Sequence, residues 1–182
     1  FLAAIEPLLF KLMMKKTVII PHGSDLYRYS SIEDTVRRHT LIADYPQNAK
    51  QSRFLEKCIS RWTQHADCII PGFLYEGLGR WDCIVFLAMS IDISSIKTRK
   101  VFSQSKGKKE PIKIVHTPNH RSIKGTEYII DTVKKLQKNG FNIDFILLEN
   151  QQNDVVHKIL KTSDILIEQL HSGYALSGIE GM

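Results

Sequence analysis

From position 112 onward the chain alternates short apolar runs with amphipathic stretches. Ile112, Ile114 and Val115 predict a strand over 112–116. A polar loop follows, where Pro118, Asn119 and Ser122 interrupt any period. Ile129, Val133 and Leu136 then recur at helical spacing, which predicts a helix over 126–138 with Gly140 as its stop signal. The pattern continues with a strand over 143–148, a short helix over 154–161, a strand over 164–167 and a last helix near Leu176. Strands and helices alternating at this length predict a parallel sheet with right-handed crossovers.

The first half is less regular. A helix is expected over 3–14, then an apolar, β-branched strand in KTVIIP of the kind buried on both faces of a parallel sheet. Gly23 and Ser24 permit a tight turn and place His22 and Asp25 at that strand's carboxyl edge, where open α/β sheets bind ligands. A short helix over 31–39 is opened by Ser31 with Asp34 three residues on, close to a capping box. A longer one over 47–65 gathers Phe54, Cys58, Ile59 and Trp62 on one face. ADCIIPGF is another short strand, and the stretch after it reads as a crossing between two lobes. Gly77 and Gly79 in that crossing do not complete a G-x-G-x-x-G fingerprint.

Charge divides the chain further. The net charge is +6, and the stretch 97–113, with seven basic residues against Glu110, accounts for all of it. One basic, Ser/Gly-containing segment between balanced halves predicts an exposed linker, with an acidic lipid surface as a further contact, rather than a nucleic-acid platform. The expected domains are therefore 1–96, a linker over 97–113, and 114–182. Cys58, Cys68 and Cys83 contain no C-x-x-C pair and read as small buried hydrophobes of a reducing compartment. The N-terminal FLAAIEPLLFKLMMKK has its lysines on the wrong side for a signal peptide and is too short to span a bilayer, so it reads as the end of a core-facing helix. A chain that starts at Phe1 and stops at Met182 is expected to be a piece of a longer protein.

Two stretches carry candidate chemistry. The loop before the 126–138 helix delivers Arg121 and Lys124 to a helix start, where free N–H groups and the dipole favour an anion such as phosphate. At the chain's end, Gly173 follows a strand and lets a ligand approach the backbone, with Glu180 seven residues on. Metal binding is not expected: His116 and His120 have helical spacing, but Pro118 lies between them and no third ligand accompanies them. His22 and Ser24 form no nucleophile elbow, and no Walker motif is present.

The ordered set VIIPHGSDLYR, ADCIIPGF, VHTPNHRSIKGTEYII and SDILIEQLHSGYALSGIEGM resembles the middle of a retaining glycosyltransferase of the two-Rossmann-domain (GT-B) type, from the large family that includes many bacterial sugar and mannosyl transferases. The resemblance implies an α/β fold, parts of two Rossmann-type parallel-sheet domains joined by a crossover and the basic linker. It implies transfer of a sugar from a nucleotide-diphosphate donor to an acceptor hydroxyl of a saccharide or lipid-linked saccharide. It also implies no cofactor or metal; together with the charge reading, which expects no nucleic-acid partner, the expected location is cytoplasmic, with the basic segment offering peripheral contact to anionic membrane. Arg121 and Lys124 match the family's diphosphate-binding pair, with Gly125 after them, at a spacing tighter than the common R-x4-K-G. Glu180 matches the ribose-binding Glu of the glycine-containing last motif that Gly173 opens, and His22 matches a His near the sugar and diphosphate. Two departures stand out: Ser172 occupies the place of a second Glu that meets the donor sugar, and Ala175 replaces a frequent Gly. They leave room for a chain that keeps the fold and binds without transferring sugar, or for a nucleotide-sugar epimerase of the same architecture.

Overall fold

A computed structural model describes residues 2–21, 27–70, 78–83, 94, 96, 99–100, 102–103, 109–170 and 176–181. The protein is mixed α/β with small parallel sheets, in two compact units, Phe1–Ser90 and Ile91–Met182.

In the first unit, α1 (Leu2–Leu12) leads to β1 (Val18–Ile19), a 3-10 turn (Tyr29–Ser31), α2 (Thr35–Asp44), α3 (Pro46–Lys50), α4 (Ser52–His65) and β2 (Cys68–Ile69). β1 and β2 pair in parallel. The core is Ile59, Ala66, Ile69 and Leu78, with Ile19 packed against it. Helix α1 lies on α4, where Phe10 and Trp62 meet with ring centroids 6.2 Å apart. The expected 31–39 helix begins later, because Asp34 itself is the cap: its carboxylate accepts from Val36 N (2.9 Å) and Arg37 N (3.2 Å). The expected 47–65 helix is two helices that meet at Gln51. Beyond β2, Arg80 donates to the carbonyls of Thr63 (2.9 Å) and Ala66 (3.1 Å) at the end of α4, where unsatisfied carbonyls and the negative dipole end favour a cation. Asp82 holds Arg80 at 2.7 Å and accepts from Ile69 N at 2.8 Å, tying this segment to β2. Cys83, expected to be buried, is exposed; the described thiols are all free.

In the second unit, β3 (Ile112–His116) leads through α5 (Arg121–Lys124) and α6 (Thr126–Lys138) to β4 (Ile143–Leu147), then α7 (Asn153–Leu160), β5 (Ile165–Ile167) and α8 (Leu176–Glu180). Among the described residues all pairings are parallel and the order is β4-β3-β5. The alternation of apolar runs and helical periods is thus realised element by element. Ile114 and Val115 of β3 are buried, as are Ile129 and Val133 of α6. Burying each such side chain is worth on the order of 1.5–3 kcal/mol.

The basic segment is not a free linker along its described length. Asp164, 8% exposed at the start of β5, accepts from the backbone N–H of Ser103 and of Lys113, each at 2.8 Å. Arg99 lies 3.1 Å from the same carboxylate, donates to the carbonyl of Ser163, and stacks over the Phe102 ring at 5.0 Å. Two backbone donors and a guanidinium hold this carboxylate, so part of the segment is fastened to the sheet. Lys100, Lys109 and Glu110 are exposed, as expected.

Candidate functional site

The chain leaves β3 toward β4 on one side, and β5 then pairs on the other side of β3. The carboxyl ends of β3 and β5 therefore flank a topological switch point, the place where open α/β sheets bind ligands. Arg121, Lys124 and Gly125 all stand there, on the short helix and turn that follow β3.

The turn is built by Gly125, which has φ +69° and separates α5 from α6. The sequence pattern predicts one helix starting near here; the left-handed glycine instead makes a single turn that carries Arg121 at its start and Lys124 at its end. A Cβ at Gly125 would lie 2.7 Å from Leu170 Cδ1, so the loop after β5 rests directly on this turn.

His116 locks the arrangement from below. Its ring is 0% exposed, with Nδ1 at 2.7 Å from the carbonyl of Ile167 and Nε2 at 2.9 Å from Thr126 Oγ1. A carbonyl only accepts, so Nδ1 carries the proton and Nε2 accepts from the threonine hydroxyl. One neutral ring thereby joins the end of β3 to the end of β5 and to the first residue of α6. Burial holds its pKa below the ordinary 6.5, with Lys124 and Arg121 acting in the same direction against the bond to Ile167 and the charge of Glu149. Both ring nitrogens are engaged within the protein. Sequence reasoning treated His116 only as a failed metal ligand; its role depends on Ile167, which no local pattern connects to it.

Arg121 and Lys124 reach the same edge but different partners. Arg121 donates from Nε (2.8 Å) and one terminal nitrogen (2.6 Å) to Glu127, and from the other terminal nitrogen to Glu149 at 2.6 Å. Lys124, 7% exposed, is ion-paired with Glu168, 11% exposed, and Ser177 donates to the same Glu168 oxygen at 3.4 Å. Glu149 follows β4 and Glu168 follows β5, so the two cations turn to opposite sides of β3. Neither Glu127 nor Glu149 is singled out by any pattern in the sequence.

Glu180 ends α8, with its side chain 9% exposed and an oxygen 3.1 Å from His157 Nε2. A Cβ on Gly181 beside it would come within 2.5 Å of Leu166 Cδ2, so α8 lies close against β5 here. That close approach seats α8 on β5 and fixes where Glu180 stands. His22, Gly173, Ser172 and Ala175 lie outside the described residues.

No protein-family model matches the chain, and searches of curated proteins and of solved structures gave no match either. No described helix is long and apolar enough to cross a membrane.

Proposed function

We propose that the chain belongs to a GT-B-type retaining glycosyltransferase, whose second unit binds a nucleotide-diphosphate sugar for transfer to an acceptor hydroxyl. The observation that carries this reading is the placement of Arg121 and a buried Lys124 on the turn after β3, at the switch point of a parallel sheet. Departure of a nucleoside diphosphate builds negative charge on a phosphate oxygen, and a fixed cation such as Lys124 at that oxygen lowers the barrier without a metal. Each charge-assisted hydrogen bond to it is worth roughly 1.5–3 kcal/mol. Glu180, seated by α8 against β5, is the candidate acceptor for ribose hydroxyls, with His157 as its neighbour. His22 remains a candidate for the sugar side and Gly173 for close backbone approach. The nucleotide sugar is the substrate, no cofactor is invoked, and the acceptor is a saccharide or lipid-linked saccharide. We place the protein in the cytoplasm, in peripheral contact with anionic membrane through the basic segment.

Calorimetric titration tests the site. Lys124→Ala should weaken nucleoside diphosphates and leave plain nucleosides unaffected. Glu180→Gln should weaken both, by on the order of 1–3 kcal/mol. Diphosphate binding indifferent to Lys124 would remove the basis of the reading.

A second reading, binding without sugar transfer, is favoured by one feature: carboxylates already occupy both cations. Binding of a nucleotide sugar without its turnover or hydrolysis would select it.

A further inference from the structure

The proposed phosphate-binding cations do not await a ligand bare. Lys124 faces Glu168, and Arg121 faces Glu127 and Glu149. Of these acids Glu168 is in the most enclosed setting, with its partner Lys124 almost wholly buried. A buried ammonium without a counter-charge is strongly unfavourable, so some anion must sit beside Lys124 in every state of the site.

We infer that Glu168 is a built-in stand-in for a ligand phosphate, and that a diphosphate binds by displacing it from Lys124. The inference rests on the glycosyltransferase reading of Lys124. A carboxylate oxygen presents to an ammonium the same acceptor that a phosphate oxygen does. The contacts of Glu168 with Lys124 and Ser177 lie between side chains, which exchange by rotation. The arrangement makes Glu168 a positioning and specificity residue. It keeps Lys124 in place without ligand, and only a group carrying more negative charge than one carboxylate gains from replacing it. A diphosphate does; a single-charged anion gains little.

Titration of the 182-residue chain with inorganic pyrophosphate tests this, using the parent, Glu168→Gln, Lys124→Ala and the double variant. Glu168→Gln removes the competitor and should bind pyrophosphate roughly tenfold tighter than the parent, the effect of one charge-assisted bond no longer exchanged. The double variant should fall to the level of Lys124→Ala. A residue that merely holds the fold together would weaken binding when replaced, so tightening is the distinguishing result. If the parent binds through Lys124 but Glu168→Gln binds equally or more weakly, the inference is overturned and the phosphate reading stands. If none of the four proteins binds pyrophosphate, the phosphate reading itself fails and takes the inference with it. Should Glu168→Gln not fold, Glu168→Asp keeps the charge on a shorter stem; tighter binding than the parent supports the inference, and equal or weaker binding overturns it.

Discussion

The two ends of β5 each carry an acid against a cation, yet they are built for different purposes. At the amino end, Asp164 meets Arg99 but is also held by two backbone N–H groups, from Ser103 and Lys113. At the carboxyl end, the partners of Glu168 include Lys124 and the Ser177 hydroxyl, which are side chains. Backbone donors are fixed by the fold and cannot leave when an anion arrives; side chains can turn away. Asp164 is burdened by burial, which alone would raise its pKa, yet the donors from Ser103 and Lys113 together with Arg99 bring it down to about 2. Similar charges thus give a clasp held by backbone donors at one end and, on our inference, an exchangeable contact at the other.

The largest expected effect is at the clasp. Asp164→Ala leaves Arg99 and two backbone donors without their acceptor and should cost roughly 3–5 kcal/mol in urea unfolding, as for other broken buried pairs. Added pyrophosphate should not restore that loss. Recovery with pyrophosphate would mean that both ends of β5 are exchangeable, and the contrast would collapse.

Gly125→Ala attacks the carboxyl end through the backbone. The residue sits at φ +69°, where an L side chain costs about 1–2 kcal/mol, and its Cβ would press on Leu170. Leu170 is exposed and flexible enough to turn aside, so backbone strain should dominate and the total should stay near that range. A neutral result by thermal unfolding would show that the turn is not held left-handed in solution.

Acid separates the two ends by pH. His116 is kept neutral in the fold, below its ordinary 6.5, so the unfolded chain binds the extra proton first. Its contribution is complete above pH 6.5 and is lost as pH falls through that value toward the lowered one. Asp164 acts later: its contribution is complete above 3.8 and fades as pH falls toward about 2. Urea midpoints should therefore begin to fall below pH 6.5, and His116→Gln should flatten that first limb while leaving the second. A first limb unchanged in His116→Gln would assign it to another histidine.

Much of this second unit was legible because its strands and helices bury continuous apolar runs, from Ile114 and Val115 to Ile129 and Val133. The charged edge was not. Glu149 is 28 residues from Arg121 and Glu168 is 44 from Lys124, so no local spacing joins them. The bond from His116 to Ile167 spans 51 residues and closes only when β3 and β5 align. The helical turn Arg121–Lys124 was also missed, because Pro118, Asn119 and Ser122 make the whole stretch before Gly125 read as loop. The fastening of 97–113 was hidden by composition: seven cations predict solvent, whereas the anchoring atoms include the backbone N–H groups of Ser103 and Lys113.

The smallest expected effect concerns Glu127. Arg121 reaches it from two nitrogens, but both go to one oxygen, and the side chains of Arg121 and Glu127 are 41% and 70% exposed. Water and salt screen such a pair, and holding two long side chains in one geometry costs entropy, so exposed pairs contribute about 0–1 kcal/mol. Glu149 would keep Arg121 in place after Glu127→Gln, because it binds a different terminal nitrogen. The substitution should shift unfolding by less than about 0.5 kcal/mol and by still less in high salt. A loss above about 1 kcal/mol, insensitive to salt, would make Glu127 a second clasp. Arg121 would then be fixed as firmly as Arg99, leaving Lys124 alone as the exchangeable cation of the edge.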